Sequence, residues 1–173
     1  MDNVIAIIGE GRKSGKTTTI EELTKELIRR GHKVGAIKQI HEEDFSIDTP
    51  NKDTWRISEA GANIVIAAAP NEVVAIKRLQ GEDRVNVALK IMEIENPDII
   101  LIEGNPSIDV PKIFAAKDPE AAKIIIPKIG DKIICISTFF PDKFSDKSFG
   151  KVYHPKKDVK KVANLIERTI KSF

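Results

Sequence analysis

From Gly9 to Thr18 the chain reads Gly9-Glu10-Gly11-Arg12-Lys13-Ser14-Gly15-Lys16-Thr17-Thr18. These residue types at this spacing are suited to holding a polyphosphate. Glycines let backbone N–H groups close around phosphate oxygens that a side chain would keep at a distance, and a helix start adds a favourable dipole. Lys16 would reach the β- and γ-phosphates, and the Thr17 hydroxyl would ligate Mg²⁺. The candidate phosphate-binding residues are therefore Gly11, Arg12, Lys13, Ser14, Gly15, Lys16, Thr17 and Thr18. The spacing departs from G-x4-G-K-T, because position 10 is Glu10 and the loop counted from Gly9 is one residue longer. Arg12 and Lys13 bring further cations to the phosphates, offset in part by Glu10.

A second chemical element is a carboxylate at the end of an apolar run, Ile99-Ile100-Leu101-Ile102-Glu103-Gly104. Glu103 is placed to orient Mg²⁺ or its coordinated water, and Gly104 would let the chain turn close to the γ-phosphate. Asp98 opens the same run and belongs at the opposite, solvated end. Asp44 and Asp48, in the acidic segment after Lys38, are candidates for Mg²⁺ or a metal-bound water. His41 with Glu42, Glu43 and Asp44 has the donor types for a transition metal, or is simply a solvated acidic loop. Arg56 steadies a phosphate or pairs with Asp53, and Trp55 reads as packing. The candidate catalytic set is Lys16, Glu103 and Asp48; the candidate metal set is Thr17, Asp48 and Glu103; Arg56 and Gly104 complete the nucleotide site.

These residues need a scaffold. Val4 to Ile8 is apolar throughout, as expected of a strand covered on both faces in a parallel sheet. Thr17 to Arg30 has helical periodicity through Ile20, Leu23, Leu27 and Ile28, with Gly31 at the C-terminal cap. Lys33 to Lys38 is a second strand, so the first ~35 residues make a βαβ unit. Residues 39–54 form a long polar loop, and a short helix runs from Trp55 to Ala60. Asn63 to Ala68 and Val73 to Lys77 are strands of a hairpin added to the parallel core. Arg84 to Glu95 is helical, with Val85, Ala88, Leu89 and Met92 on one face. Asp98 to Ile102, Lys112 to Ala116 and Lys132 to Ser137 are further strands. A loop from Thr138 to Lys157 leads to a final helix capped by Asp158, with Val159, Val162, Ala163, Ile166 and Ile170 inward. The fold expected is α/β, a three-layer P-loop NTPase domain with a mostly parallel sheet and an antiparallel hairpin extension, one nucleotide-binding domain over residues 1–173.

Composition narrows the classes. Lys and Arg total 28 against 26 Asp and Glu, a net charge of +2, which gives no electrostatic signature of a nucleic-acid partner. Lys156, Lys157, Lys160 and Lys161 read as a solvated face. No apolar run approaches the ~18 residues of a membrane span, and the start of the chain lacks a basic signal region. One cysteine, Cys135, excludes a disulfide framework and leaves the cytoplasm as the default compartment.

Taken in order, Gly15-Lys16-Thr17-Thr18, Val34-Gly35-Ala36-Ile37-Lys38, Asp44-Phe45-x-Ile47-Asp48-x-Pro50, Lys52-Asp53-Thr54-x-Arg56, Ala60-Gly61-Ala62, Ile102-Glu103-Gly104 and Pro111-Lys112-Ile113 resemble MobB, the molybdopterin-guanine dinucleotide biosynthesis protein B family. The likeness covers about residues 4 to 116. It implies a SIMIBI-type P-loop protein that binds GTP with Mg²⁺, hydrolyses it weakly and forms a homodimer through its sheet. Its implied partner is a MobA-type guanylyltransferase working on the molybdopterin cofactor. By the same likeness Lys16 and Thr17 hold phosphate and Mg²⁺, Asp48 and Glu103 lie near the metal, and Asp53 and Arg56 shape the same face. The segment after Lys38 is poorer in His than the family's usual form. No Asn-Lys-x-Asp follows the last strand, where Asp142 stands either as an acceptor for guanine or as a turn acid. Phe139, Phe140, Phe144 and Phe149 lie in that loop, with base pocket, partner surface and packing under the sheet all open.

Two other functions fit a P-loop core. A small-molecule kinase needs an acceptor pocket and commonly a cationic lid, whereas the chain after Glu103 offers Asn105 to Pro111. A GTPase metallochaperone needs soft ligands, and Cys135 stands alone in a strand. Gln occurs only at positions 39 and 80 while Lys, Glu and Ile are abundant, a bias of proteins from hot environments that genome composition equally produces. On the thermophile reading, unfolding followed by circular dichroism is expected above about 60 °C; a lower midpoint rejects it.

Overall fold

The computed structural model describes residues 2–79, 81 and 83–171. The element order is β1 (Val4–Gly9), α1 (Lys16–Arg29), β2 (Val34–Lys38), α2 (Asp53–Glu59), β3 (Val65–Ala68), β4 (Val73–Ile76), α3 (Arg84–Met92), β5 (Ile99–Glu103), β6 (Lys112–Ala115), α4 (Pro119–Ile129), β7 (Ile133–Ser137), β8 (Val152–Tyr153) and α5 (Val159–Ile170). By internal contacts the chain gathers into two compact units, Met1–Gln39 with Leu89–Phe173, and Ile40–Ala88.

The first unit is built on a six-stranded sheet in the order β2-β5-β1-β6-β7-β8. Every pairing in it is parallel. Parallel strands are buried on both faces, which is why β1 and β5 carry unbroken apolar runs. One face presents Ile5, Ile7, Ile99, Leu101, Ile113 and Cys135, packed with Leu23 and Leu27 of α1 and Val162, Ala163 and Ile166 of α5. The alternate residues Val4, Ala6, Ile8, Ile100, Ile102 and Phe114 are buried as well.

The inward stripe of α1 is rotated from the sequence expectation. Thr19, Leu23, Glu26 and Leu27 are buried, while Ile28 is 56% exposed. The helix ends in a Schellman turn, with Gly31 N–H donating to Ile28 O at 2.9 Å and His32 N–H to Leu27 O at 3.1 Å. Gly31 supplies the left-handed φ of 93°. An ion network joins this end to α5. The Glu26 carboxylate accepts from Arg29 Nε and Nη2 at 2.8 Å and from Arg30 Nε at 2.9 Å. Arg30 continues to Asn164 Oδ1 at 2.7 Å and Glu167 Oε2 at 2.8 Å, and His32 Nε2 meets Glu167 Oε1 at 2.8 Å.

Helix α4 has no counterpart in the sequence reading. Its Ile124-Ile125-Ile126-Pro127 stretch mimics a strand that a proline ends. Its start nevertheless carries the usual signals: Asp118 caps by accepting from Glu120 N–H, and Pro119 occupies the first turn. Within residues 138–157 the chain makes 3₁₀ turns at Pro141–Phe144 and Lys147–Phe149 and adds the edge strand β8. Asp158 precedes α5 without capping it through its side chain. Its carboxylate accepts from His154 N–H at 3.0 Å and pairs with Lys161 at 2.9 Å.

In the second unit β3 and β4 pair antiparallel as a two-stranded sheet of their own. Helix α2 spans Asp53–Glu59, starting two residues earlier than expected. Among the described residues no helix is long and apolar enough to cross a membrane. Lys156, Lys157, Lys160 and Lys161 are exposed.

The two guanidinium groups around Glu26 hold its carboxyl down to about 2 from an ordinary 4.5. The unfolded chain therefore takes up this proton first, so the group's stabilisation is full above pH 4.5 and disappears as the pH falls toward 2. Thermal midpoints of wild type and Glu26→Gln should be well separated at pH 7 and converge between pH 4.5 and 2. A separation independent of pH would remove Glu26 as the cause.

Candidate functional site

The loop leaves β1 at Gly9, where the backbone has no room for a side chain. A Cβ there would lie 2.5 Å from Ala115 O and 2.6 Å from Ser14 Oγ. The longer loop closes through three left-handed residues, Gly11 at φ 135°, Lys13 at 59° and Gly15 at 97°. Left-handed backbone costs a non-glycine residue about 1–2 kcal/mol, so Lys13 is a strained point of the turn. Ser14, a candidate phosphate-binding residue, is buried, and its hydroxyl donates to Gly11 O at 3.1 Å. The Lys16 ammonium donates to the same carbonyl at 2.6 Å and to Ser14 Oγ at 3.3 Å. Lysine, serine and the left-handed residues thus close on one carbonyl, with Arg12 and Lys13 exposed beside them.

Sequence reasoning did not assign Glu10 an anchoring role. Its Oε1 accepts from the backbone N–H groups of Lys117 at 2.7 Å and Asp118 at 3.1 Å. This ties the start of the loop to the segment that caps α4. Thr19 is a second anchor: its hydroxyl donates to Gly15 O at 2.9 Å and shares a buried 2.8 Å hydrogen bond with Ser137 Oγ on β7. The Thr-Thr-Thr run after Lys16 is the signal that could have pointed to it, since successive residues of a helix point in directions about 100° apart and three hydroxyls in a row cannot share one face.

Thr17 and Glu103 come together as expected. The Thr17 hydroxyl lies 3.3 and 3.4 Å from the two carboxylate oxygens. Register places Glu103 beside Ile7 of β1 and Lys38 of β2. Gly104, at φ 99°, donates its N–H to Ile7 O at 2.9 Å, which holds the end of β5 against β1. Two hard oxygen donors on adjacent elements at the loop are the donor chemistry of Mg²⁺. Asp98 opens β5 at its other end and accepts from Lys33 N–H at 2.7 Å.

Asp48 and Arg56 belong to the second unit. The Asp48 side chain is 4% exposed, accepts from Thr54 Oγ1 at 2.7 Å, and has Oδ2 3.7 Å from Arg78. Among the described residues Oδ2 has no hydrogen-bond donor. Arg56 pairs with Asp53 at 3.8 Å, both well exposed. Trp55 lies under the Arg78 guanidinium, 4.0 Å from the ring centroid. His41, Glu42, Glu43 and Asp44 are exposed, and no group of three or more His, Cys, Asp or Glu among the described residues is placed to hold a metal. Cys135 is buried, and burial pushes its thiol up to about 12, which keeps it protonated. Lys112 is also buried at the start of β6, donating to Val110 O at 3.2 Å; desolvation lowers its pKa.

The loop phenylalanines divide. Phe144 and Phe149 are buried and meet edge to face at 5.0 Å, whereas Phe139 and Phe140 are partly exposed. Asp142 sits exposed in the turn between them.

A glycine loop running from a central parallel strand into a helix that opens Lys-Thr, beside an acidic strand end, defines a P-loop nucleotide-binding fold. Comparison with known proteins is specific. The model of the MobB family, "Molybdopterin guanine dinucleotide synthesis protein B", matches residues 4–138. The "Molybdopterin-guanine dinucleotide biosynthesis adapter protein" of Haemophilus influenzae is 31% identical over 143 residues, 82% of this chain and 79% of that protein. The Escherichia coli protein of the same name is 30% identical over 107 residues, 61% of each chain. The crystal structure of Bacillus subtilis MobB superposes with a TM-score of 0.72 at 19% identity, covering 96% of this chain and 97% of that one. The chain belongs to the MobB family.

Gly9→Ala should cost about 1–3 kcal/mol of stability, the range for overpacking, and weaken polyphosphate binding. Denaturant unfolding and calorimetry with tripolyphosphate check both. Unchanged values would mean that the loop has slack the geometry does not show.

Proposed function

We propose that this protein binds GTP with Mg²⁺ at the loop Gly11–Thr18 and acts as an adapter for a MobA-type guanylyltransferase in molybdopterin guanine dinucleotide synthesis. The observation that carries the reading is the approach of Thr17 Oγ1 to Glu103 beside Lys16. Thr17 and Glu103 would hold Mg²⁺, which when bound neutralises charge on the β- and γ-phosphates. Lys16 turns its ammonium from the Gly11 carbonyl to phosphate oxygen, and the N–H groups at the start of α1 orient the chain of phosphates. Arg12 and Lys13 add positive potential. Gly104 keeps the approach to Glu103 open.

Support for guanine comes from the shared base of GTP and the dinucleotide in the relatives' names. The adapter role rests on those names too. Hydrolysis in this reading is slow and secondary to adapter function. By the likeness to the family, Asp48 is assigned to the metal-bound water and Arg56 to the phosphates. A homodimer belongs to the same reading: Ile66 and Val73 share one hairpin face and are 60% and 70% exposed, apolar area that a second copy would cover.

Calorimetric titration with GTP and ATP, each with Mg²⁺, tests the proposal. GTP should bind at least tenfold more tightly, about 1.4 kcal/mol of base discrimination, and Lys16→Ala should abolish binding of both. Equal or better ATP binding would sink the guanine assignment. Full binding by Lys16→Ala would sink the site.

A further inference from the structure

The phosphate site has two flanks that differ in chemistry. On the β5 side stand Glu103 and Gly104. On the other side, beyond β6, the chain leaves β7 at Ser137 and β8 at Tyr153. Ligands of open parallel sheets lie beyond the C-terminal ends of the strands, so a nucleotide whose metal end faces β5 extends its nucleoside toward β7 and β8.

One aromatic ring is held there. Phe139 lies against Gly15, so close that a Cβ on Gly15 would stand 3.1 Å from Phe139 Cε2. The same ring meets His154 edge to face, with centroids 5.5 Å apart and an interplanar angle of 88°. His154 is itself fixed, because Nδ1 accepts from the backbone N–H groups of Lys156 and Lys157 at 3.2 Å and the His154 backbone N–H donates to Asp158 Oδ2. That arrangement makes Nδ1 an acceptor. The backbone beneath is pinned too: Thr138 N–H donates to Tyr153 O at 2.9 Å, and Phe140 N–H to Thr138 Oγ1 at 3.2 Å. Despite these contacts Phe139 remains 38% exposed, unlike Phe144 and Phe149 in the same segment, whose rings are spent on packing.

We propose that Phe139, braced by His154 and seated on Gly15, is the stacking platform for the nucleoside of the P-loop ligand, a purine nucleoside triphosphate. The platform rests on the nucleotide reading above and adds to it the residue that grips the base. Gly15 has a role in this beyond its left-handed φ, since a Cβ there would press on the ring at 3.1 Å. An aromatic face accepts every base, so Phe139 supplies affinity for the nucleoside rather than discrimination between bases.

The test titrates the full chain with GTP and with inorganic tripolyphosphate, both with Mg²⁺. Phe139→Ala should weaken GTP about tenfold or more, the scale of one lost base stack, and leave tripolyphosphate within twofold. Phe139→Tyr keeps the ring face and should retain GTP affinity. Phe139→Leu keeps apolar bulk on Gly15, and should lose GTP affinity as Ala does while its thermal midpoint stays near wild type. GTP binding unchanged in Phe139→Ala, or an equal loss for both ligands, overturns the platform and leaves the phosphate site standing. Wild-type binding of neither ligand overturns the nucleotide reading and the platform together.

Discussion

The carbonyl oxygen of Ala115 occupies the space beside Gly9 that a side chain would need. Because β1 and β6 run this close at their ends, the chain must rise from the sheet at residue 9 with no side chain in the way. From there it turns into α1, which starts at Lys16. The remaining features of the loop follow from that departure point. Glu10 is directed at the backbone of Lys117 and Asp118, Ser14 is folded under the turn, and Thr19 reaches Ser137. Three hydrogen-bonding side chains therefore fasten the loop. Backbone N–H groups that a loop spends on itself cannot hold an anion.

Charge is distributed to match. Arg12, Lys13 and Lys16 gather on the loop, and Glu103 faces them from β5. Residues of one sign alone would repel one another. A carboxylate next to the Thr17 hydroxyl supplies the oxygen donors that the proposed nucleotide with Mg²⁺ requires. The position of α1 must not drift for this to work, because its first turn carries Lys16 and Thr17. Its far end is held by Glu26, Arg29, Arg30 and Glu167, with the His32 ring on Glu167. Glu26 is buried and paired on two sides. Such a carboxylate adds definition to the α1–α5 contact and makes it sensitive to acid.

The second unit has a different economy. It keeps little of its apolar surface inside: Ile47, Ile57, Ile64, Ile66 and Val73 are exposed. Its polar contacts are local, with Asp48, Thr54, Arg78 and Trp55 forming one cluster. A hairpin and one short helix cannot bury such residues among themselves.

Much of this was legible from residues alone. The apolar runs of β1 and β5 announced a parallel sheet covered on both faces. The loop sequence and the acid at the end of β5 singled out Thr17 and Glu103, which the fold brings together. Local periodicity and glycine placement suffice there, because each signal lies within one element and its flanking turn. Helix α4 escaped because three isoleucines and a proline obscure helical periodicity, although Asp118-Pro119-Glu120 marks its start. The two-residue β8 is too short to carry a pattern. The exposed Ile28, the idle cap of Asp158 and the anchoring by Glu10 are decided by what lies across the fold. The same holds for Gly9 against Ala115 and Phe139 against Gly15. The sequence by itself determined which elements form and which chemistry they carry. Only the tertiary structure decided which face of α1 turns inward, which carboxylate fastens the loop and which phenylalanines stay open. Those outcomes depend on contacts between residues far apart in the chain, as Gly15 and Phe139 are at 124 positions, and no local pattern records them.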